Sequence, residues 1–369
     1  MPHPKLFTPI ALGGITLPNR IVVSPMCQYS AREGRMTDWH LMHLGQYACS
    51  DAGLFMVEAT GVTPEGRITH GCTGLYDDAT EQAMARALAV YRGITRNPIG
   101  IQLAHAGRKA STHPPFAGGK PLGPADSPWQ TLAPSPIPFG DGWPAPHELA
   151  ANELRSLKDD FVKAAARAKR LGFEVVELHS AHGYLLHQFL SPLTNQRHDD
   201  YGKNRMKFPL EVAAAVREAW PKDRALGARI SGNDWAEGGA GIQDAVAYAR
   251  ELKRLGFDYV CVSSGALVPY ARIPVSPGYQ VPFAAQVRKE TDIAVRAVGL
   301  IVRPEQAEEI VASGQADMVA LARGFLDDPR WVWHAAERFG VPAEMPPPYA
   351  RTRPDQWPGA QLARPREAV

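Results

Sequence analysis

Cysteine is scarce and scattered in this chain. Cys27, Cys49, Cys72 and Cys261 form no CxxC pair, which argues against a zinc site, an iron–sulfur cluster or a disulfide scaffold and points to reduced thiols. An excess of charge of one sign is also missing: 40 Lys+Arg stand against 38 Asp+Glu, a formal net charge of +2. No basic run is interleaved with aromatics, so nucleic acid is not an expected partner and a small molecule is. Nowhere do about 18 consecutive apolar residues occur, and the opening MPHPKLF lacks the apolar core of a signal peptide. Neither a membrane span nor secretion is supported, and the expected location is the cytoplasm. The strings GxGxxG, P-loop, HExxH and GxSxG are absent too, so no dinucleotide-binding domain, phosphate loop, zincin helix or nucleophile elbow is signalled.

What is present is regular alternation. Eight β-rich apolar runs occupy residues 20–24, 54–60, 99–105, 173–178, 225–231, 257–263, 293–299 and 316–322. Helical spacing fills the intervals, as in Leu154, Leu157, Phe161, Ala164, Ala168 and Leu171, which stop at Gly172. Strict βα alternation implies a parallel sheet. The string KRLGF ends a helix at 169–173 and again at 253–257. The two copies lie two strands apart, so one unit is about 42 residues and eight units need about 336, close to the span from Arg20 to Phe339. The expected fold is α/β, a (β/α)8 TIM barrel formed by residues 1–341. An open doubly wound sheet is the rival, but it would be unusually wide and lacks its nucleotide loop. Residues 111–150, rich in Pro and Gly, interrupt the alternation after the third strand and are expected to cap the pocket or to form a passive surface loop. Residues 342–369 read as an extended Pro-rich arm, disordered or docked on a neighbouring subunit.

In such a barrel, polar residues at the C-terminal ends of strands converge on one face. The first strand ends in Ser24, Pro25, Met26, Cys27, Gln28 and Tyr29, the second in Ala59 and Thr60. The third carries Gln102 and His105, and the fifth carries Arg229. The fourth runs out of apolar residues into HSAHGY, residues 179–184. Two imidazoles three apart, followed by a phenol, can hold one carbonyl oxygen by two hydrogen bonds and set an acid over a neighbouring carbon. Two structural histidines, or a metal pair lacking its third ligand, are the competing readings for His179 and His182. Arg229 inside a strand needs an anion or acceptor, because a buried guanidinium is costly alone; a structural salt bridge to Glu58 or Glu177 is its alternative. Small residues at Gly299 and at Ala322-Arg323-Gly324 mark the usual phosphate pocket, hence a mononucleotide-type cofactor.

These residues resemble those of the Old Yellow Enzyme family of FMN-dependent ene reductases, in its thermophilic-like, YqjM-type branch. The resemblance covers nearly the whole chain and rests on FTPIALGGITLPNRIVVSPMCQYS, VEATGV, GIQLAHAGRKAS, ELHSAHGYLLHQFLSPLTNQR, VGLI and the final YAR. His182 with Cys27 indicates the branch. The resemblance implies that Ser24, Pro25, Met26, Cys27 and Ala59 line the isoalloxazine and that Gln102 bonds its pyrimidine edge. Arg229 would sit where the reduced flavin carries negative charge, and Gly299, Ala322 and Arg323 would hold the ribityl phosphate. His179 and His182 would bind the substrate carbonyl, Tyr184 would protonate the α-carbon, and Cys27 would tune the flavin and contact substrate. Tyr29 and Lys109 would line the entrance. Arg351, in the final YAR, would reach a neighbouring subunit's pocket, with Trp357 as a substitute, which implies a homodimer or higher homo-oligomer.

The implied activity is NAD(P)H-dependent reduction of activated alkenes by a ping-pong cycle, with bound FMN and NADPH or NADH as reductant and no metal. A related flavin barrel with a specialised substrate, and a flavin-free barrel lyase or metal hydrolase, are the alternatives. Two departures stand out. Ala322 replaces the family's usual Gly, which is tolerable if the turn does not need positive φ. The segment 201–205 is about three residues shorter than the family pattern, which leaves the local loop open.

Overall fold

The structure, a computed structural model, describes residues 3–363; the expectations for residues 1–2 of the barrel and 364–369 of the arm lie outside the described residues. Eight parallel strands close into a barrel in sequence order. They are β1 (Ile21–Val23), β2 (Leu54–Gly61), β3 (Ile99–Ala104), β4 (Val175–Ser180), β5 (Ala225–Ser231), β6 (Tyr259–Ser263), β7 (Ala294–Ala297) and β8 (Met318–Leu321). Each lies within, or within two residues of, one of the eight apolar runs. The ring is closed where Val319, Ala320 and Leu321 pair with Ile21, Val22 and Val23. Outside it lie α1 (Asp38–Ala48), α2 (Asp78–Ile94), α3 (Ala151–Arg170), α4 (Lys207–Ala219), α5 (Ile242–Arg254), α6 (Val281–Glu290), α7 (Pro304–Ala312) and α8 (Trp331–Phe339).

The KRLGF repeat has a local cause. At the ends of α3 and α5, Gly172 and Gly256 take φ of +82° and +85°. The N–H groups of Phe173 and Phe257 then return to the carbonyls of Ala168 and Leu252, the 6→1 bond of a glycine-terminated helix. Each phenylalanine is thereby buried under the next strand. Residues two apart on a strand share a face, so Val176 and Leu178 of β4 meet the helices while Val175 joins the barrel interior. Glu177 and His179 follow Val175 inward, and the period of two carries the interior from apolar at the bottom to titratable at the top.

Two features have no counterpart in the sequence reading. A hairpin, Ile10–Leu12 with Ile15–Leu17, sends Leu12 and Leu17 into the inner cluster and plugs the barrel bottom. The 111–150 segment carries a two-residue parallel pair, Leu132–Ala133 with His147–Glu148. That segment is tied to three barrel loops. Trp129 Nε1 donates to Glu65 O (2.9 Å), the Arg108 guanidinium to Ile137 O, Pro138 O and Leu267 O, and Arg197 to Pro134 O and Leu149 O. The arm is less extended than its proline content implies. It forms turns at Pro347–Thr352 and Ala360–Ala363, and Tyr349 packs on Trp333 of α8 with Arg330 over its ring. Residues 201–205 overlap a short helix, Asp200–Lys203, capped by the Asp199 carboxylate. Among the described residues no helix is long and apolar enough to cross a membrane.

Candidate active site

The HSAHGY stretch makes a tight turn at the top of β4. His182 and Gly183 have φ of +57° and +71°, a left-handed pair that a histidine adopts only under constraint. Gly183 is required there for space as well: a Cβ would fall 2.5 Å from Ala266 O. The constraint comes from His187 and Asp234. His187 Nδ1 accepts the Gly183 N–H at 2.9 Å and its Nε2 meets Asp234 Oδ1 at 2.9 Å, while Asp234 Oδ2 accepts Ser191 Oγ and the Ala240 N–H at 2.7 Å. Gln188 Nε2 closes the turn onto Gly183 O at 2.7 Å.

This turn brings the three rings together. His179 and His182 have centroids 5.1 Å apart and His179 and Tyr184 4.9 Å, each pair nearly perpendicular. Burial, then the nearby Arg229 charge, pushes both imidazoles well below their ordinary range, so both are neutral and each has one N–H to give. His179 Nδ1 accepts the Ala181 N–H (3.3 Å), which places its proton on Nε2. His182 Nε2 is bound to Ser263 Oγ at 2.7 Å. Burial raises the Tyr184 phenol well above 10, so it keeps its proton at neutral pH.

The exit of β1 is shaped by a β-bulge in β2, where the register with β3 shifts between Val57 and Ala59. Bulges re-aim side chains next to sites. Here Glu58 turns toward α1, accepting the Gln28 N–H at 3.0 Å and meeting His40 Nε2 at 3.2 Å. Ala59 stands opposite Gln102 in the register. Cys27 is half-buried and its thiol is pushed well up, first by a hydrogen bond with the Cys72 thiol and then by burial, so it is a thiol and not a thiolate. Pro25 and Met26 are half-buried beside it. Tyr29, at φ +51°, lies edge-on to Phe116 of the 111–150 segment at 6.0 Å.

A cavity of about 310 Å³ opens beside these rings. It gathers seven of the residues singled out from sequence: Ser24, His182, Arg229, Gly299, Ala322, Arg323 and Gly324. Arg229 forms none of the salt bridges its alternative reading required, because Glu58 faces His40 and Glu177 is taken by Arg296. Its Nε is buried without a partner. Such an orphaned donor calls for an acceptor from outside the chain, and the hydroxyls of Ser24, Ser263 and Ser264 line the same space. Gly299 has φ +106° and leaves no room for a Cβ beside Gln280. Ala322 has φ −109°, so the turn needs no glycine and its N–H stays usable. A guanidinium, hydroxyls and a glycine turn in one cleft fit an anionic, heteroaromatic cofactor such as FMN.

Lys109 lies above the Tyr184 and Phe139 rings, 5.0 Å from each centroid, with Nζ donating to His182 O (2.8 Å) and Ala266 O (2.7 Å). Burial and the adjacent Arg108 push it down to about 7. Arg351 is exposed in the turn Pro347–Thr352, away from this chain's own cavity. Trp357 lines a separate, larger cavity of about 610 Å³ between α8 and the arm, none of whose lining residues stands at a strand end. Among the described residues, no three His, Cys, Asp or Glu side chains gather as a metal site.

Several site residues escaped the sequence reading. Ser263 ends β6 and Ser264 follows it, so the strand-end rule applied to that strand nominates both. Gln280, whose Nε2 donates to Ser264 Oγ at 2.9 Å, has no such signal, and neither has the His187–Asp234 brace.

Residues 5–340 match the model of the NADH:flavin oxidoreductase / NADH oxidase family. The chain is 44% identical over 351 residues to an NADPH dehydrogenase of Geobacillus thermodenitrificans, covering 94% of this chain and 98% of that one. It is 41% identical over 352 residues to the NADPH dehydrogenase of Bacillus subtilis, with the same coverage. Among solved structures, morphinone reductase superposes with a TM-score of 0.76 at 29% identity, covering 94% of this chain and 92% of that one. An old yellow enzyme homologue from Zymomonas mobilis gives 0.75 at 26%, covering 93% and 94%.

Proposed function

This chain belongs to the NADH:flavin oxidoreductase / NADH oxidase family, the Old Yellow Enzyme family, and from that premise we propose that it is an FMN-dependent ene reductase that uses NADPH or NADH to reduce C=C bonds conjugated to carbonyl or nitro groups, in a ping-pong cycle. The observation that carries the reading is a pair of imidazoles held neutral beside a proton-retaining phenol, with His182 lining the cavity that holds Arg229. Bound FMN supplies the two-electron chemistry between nicotinamide and alkene. His179 and His182 hold the carbonyl or nitro oxygen and draw charge from the alkene. Tyr184 gives its proton to the α-carbon. Arg229 offers positive charge to the cofactor's pyrimidine side, Gln102 bonds its edge, and Ser24, Pro25, Met26, Cys27 and Ala59 form its bed. Arg323 and the N–H groups around Gly299 and Ala322 hold the phosphate.

Tyr29 and Lys109 guard the entrance under a cap formed by residues 111–150, pinned by Arg108. The arm, 342–369, serves a neighbouring subunit in a homodimer or larger homo-oligomer by presenting Arg351 or Trp357, and the enzyme works in the cytoplasm on dissolved nicotinamide. The visible spectrum of the purified protein tests the cofactor: a flavin band that leaves with a heat-released small molecule, and that an enone restores after bleaching by NADPH, is expected. A colourless protein that FMN does not reconstitute ends the reading.

Lys109 adds a pH signature. Its ammonium is held down near 7, so the charge at the entrance is present below that pH and lost above it. The value of kcat/KM for the anionic NADPH should fall as pH rises through about 7, and Lys109→Met should remove that limb of the profile. An unaltered profile in the variant would assign the limb to another group.

A further inference from the structure

Beneath Gln102 lies a polar chain inside the barrel whose other members have none of these roles. Gln102 Nε2 donates to Glu177 Oε1 at 2.7 Å, and the two residues are register neighbours on β3 and β4. Glu177 Oε2 accepts the Tyr259 hydroxyl at 2.9 Å and an N–H of the Arg296 guanidinium. Arg296 lies 4.9 Å over the Tyr259 ring. Both members of the ion pair have no exposure at all, and Arg296 has Cys261 of β6 and Met318 of β8 as its register neighbours. Room for the Tyr259 ring exists only because residue 227 is glycine, whose Cβ would fall 2.3 Å from it. A fully buried ion pair adds little stability over apolar residues of the same volume, because both charges lose their water. Its contribution is better sought in what it orients.

An ionised carboxylate has acceptors only. Opposite Glu177, the Gln102 amide must therefore turn its NH2 toward the carboxylate and its Oε1 away. Facing a group that both donates and accepts, the same amide could flip and present either end. We propose that Glu177, propped by Tyr259 and balanced by Arg296, is a positioning residue that locks the Gln102 amide with its oxygen as an acceptor toward the pyrimidine edge of FMN. So locked, Gln102 would offer an acceptor suited to the N3–H donor of a flavin ring and would keep its second Nε2 hydrogen for an adjacent flavin carbonyl. It rests on the FMN reading above and deepens it: cofactor recognition by Gln102 depends on a charge pair buried beneath it.

The test is FMN affinity of the apoprotein, followed by flavin fluorescence, in a cycle of variants. Glu177→Gln with Arg296→Met removes both charges at once, so no lone buried charge remains, and gives Gln102 an amide that can accept or donate. Gln102→Met should weaken FMN binding on the order of tenfold, and the paired variant by a smaller factor of about three to ten. Combined, the three substitutions should bind FMN no more weakly than Gln102→Met alone. Tyr259→Phe, which removes one prop with little change of packing, should show a smaller loss that also vanishes in the Gln102→Met background. It carries the test if the paired variant does not fold. Losses that persist undiminished in that background, or no loss at all, overturn the positioning role and leave the chain structural. Wild-type apoprotein that binds no FMN would instead overturn the FMN reading before any variant is compared.

Discussion

Replacing both His179 and His182 by alanine is expected to slow reoxidation of the reduced enzyme by an enone on the order of 10³-fold, with the flavin colour retained. The argument starts from burial. His179 is buried and His182 is half-buried at the cavity wall, and burial with the Arg229 charge keeps both neutral. Neutral donors fixed in advance act on the charge that develops on the carbonyl oxygen as the β-carbon is reduced, and removing one such donor costs about 10² to 10³ in rate. The cofactor bed is left in place, since Ser24, Arg229, Gly299 and Arg323 line the cavity from other strand ends. A pH corollary follows with its sign. Because both rings lose their protons well below 6.5, this half-reaction should show no imidazole titration between pH 6 and 8, and any imidazole limb belongs below that range. Stopped-flow mixing of photoreduced enzyme with 2-cyclohexenone measures both; an unchanged rate and affinity in the double variant would remove the two histidines from carbonyl binding.

Why these residues could be found in the sequence at all, and others not, is a matter of how far a physical signal extends along the chain. A strand buried on both faces reads as a short apolar run, so all eight barrel strands were legible, and a titratable side chain breaking such a run is conspicuous. Arg229 and HSAHGY stand out for that reason. Arg296 breaks the run 293–299 in the same way, yet its meaning lies in Glu177, 119 positions earlier, and a pattern within a window cannot report that. His187, on the short helix Leu185–Leu190, and Asp234, in the loop after β5, are 47 positions apart and meet only in the folded chain. The bottom hairpin was missed for a different reason: three-residue strands carry too little period-two signal to rise above background. Proline disfavours long helices, so the arm's composition points to an extended chain, but proline is at home in the first turn of a short 3₁₀ segment, as at Pro347.

Tyr184→Phe separates the two halves of the cycle. Its phenol is buried, well above its ordinary range and therefore protonated at any pH the enzyme meets. It sits against His179, the ring proposed to hold the substrate oxygen, so a substrate anchored there exposes the neighbouring α-carbon to the phenol. Loss of a positioned acid costs about 10²- to 10⁴-fold. Flavin reduction by nicotinamide requires no proton on carbon, and the ring itself, with the Lys109 contact 5.0 Å from its centroid, survives the substitution. The expected result is an oxidative half-reaction slowed on the order of 10²-fold or more beside a reductive half-reaction changed by only a small factor. In D2O the wild-type product should carry deuterium at the α-carbon on one face only, and in the variant that facial preference should weaken as water takes over delivery. Equal slowing of both half-reactions, with the facial preference intact, would show that Tyr184 shapes the pocket and that the proton comes from elsewhere.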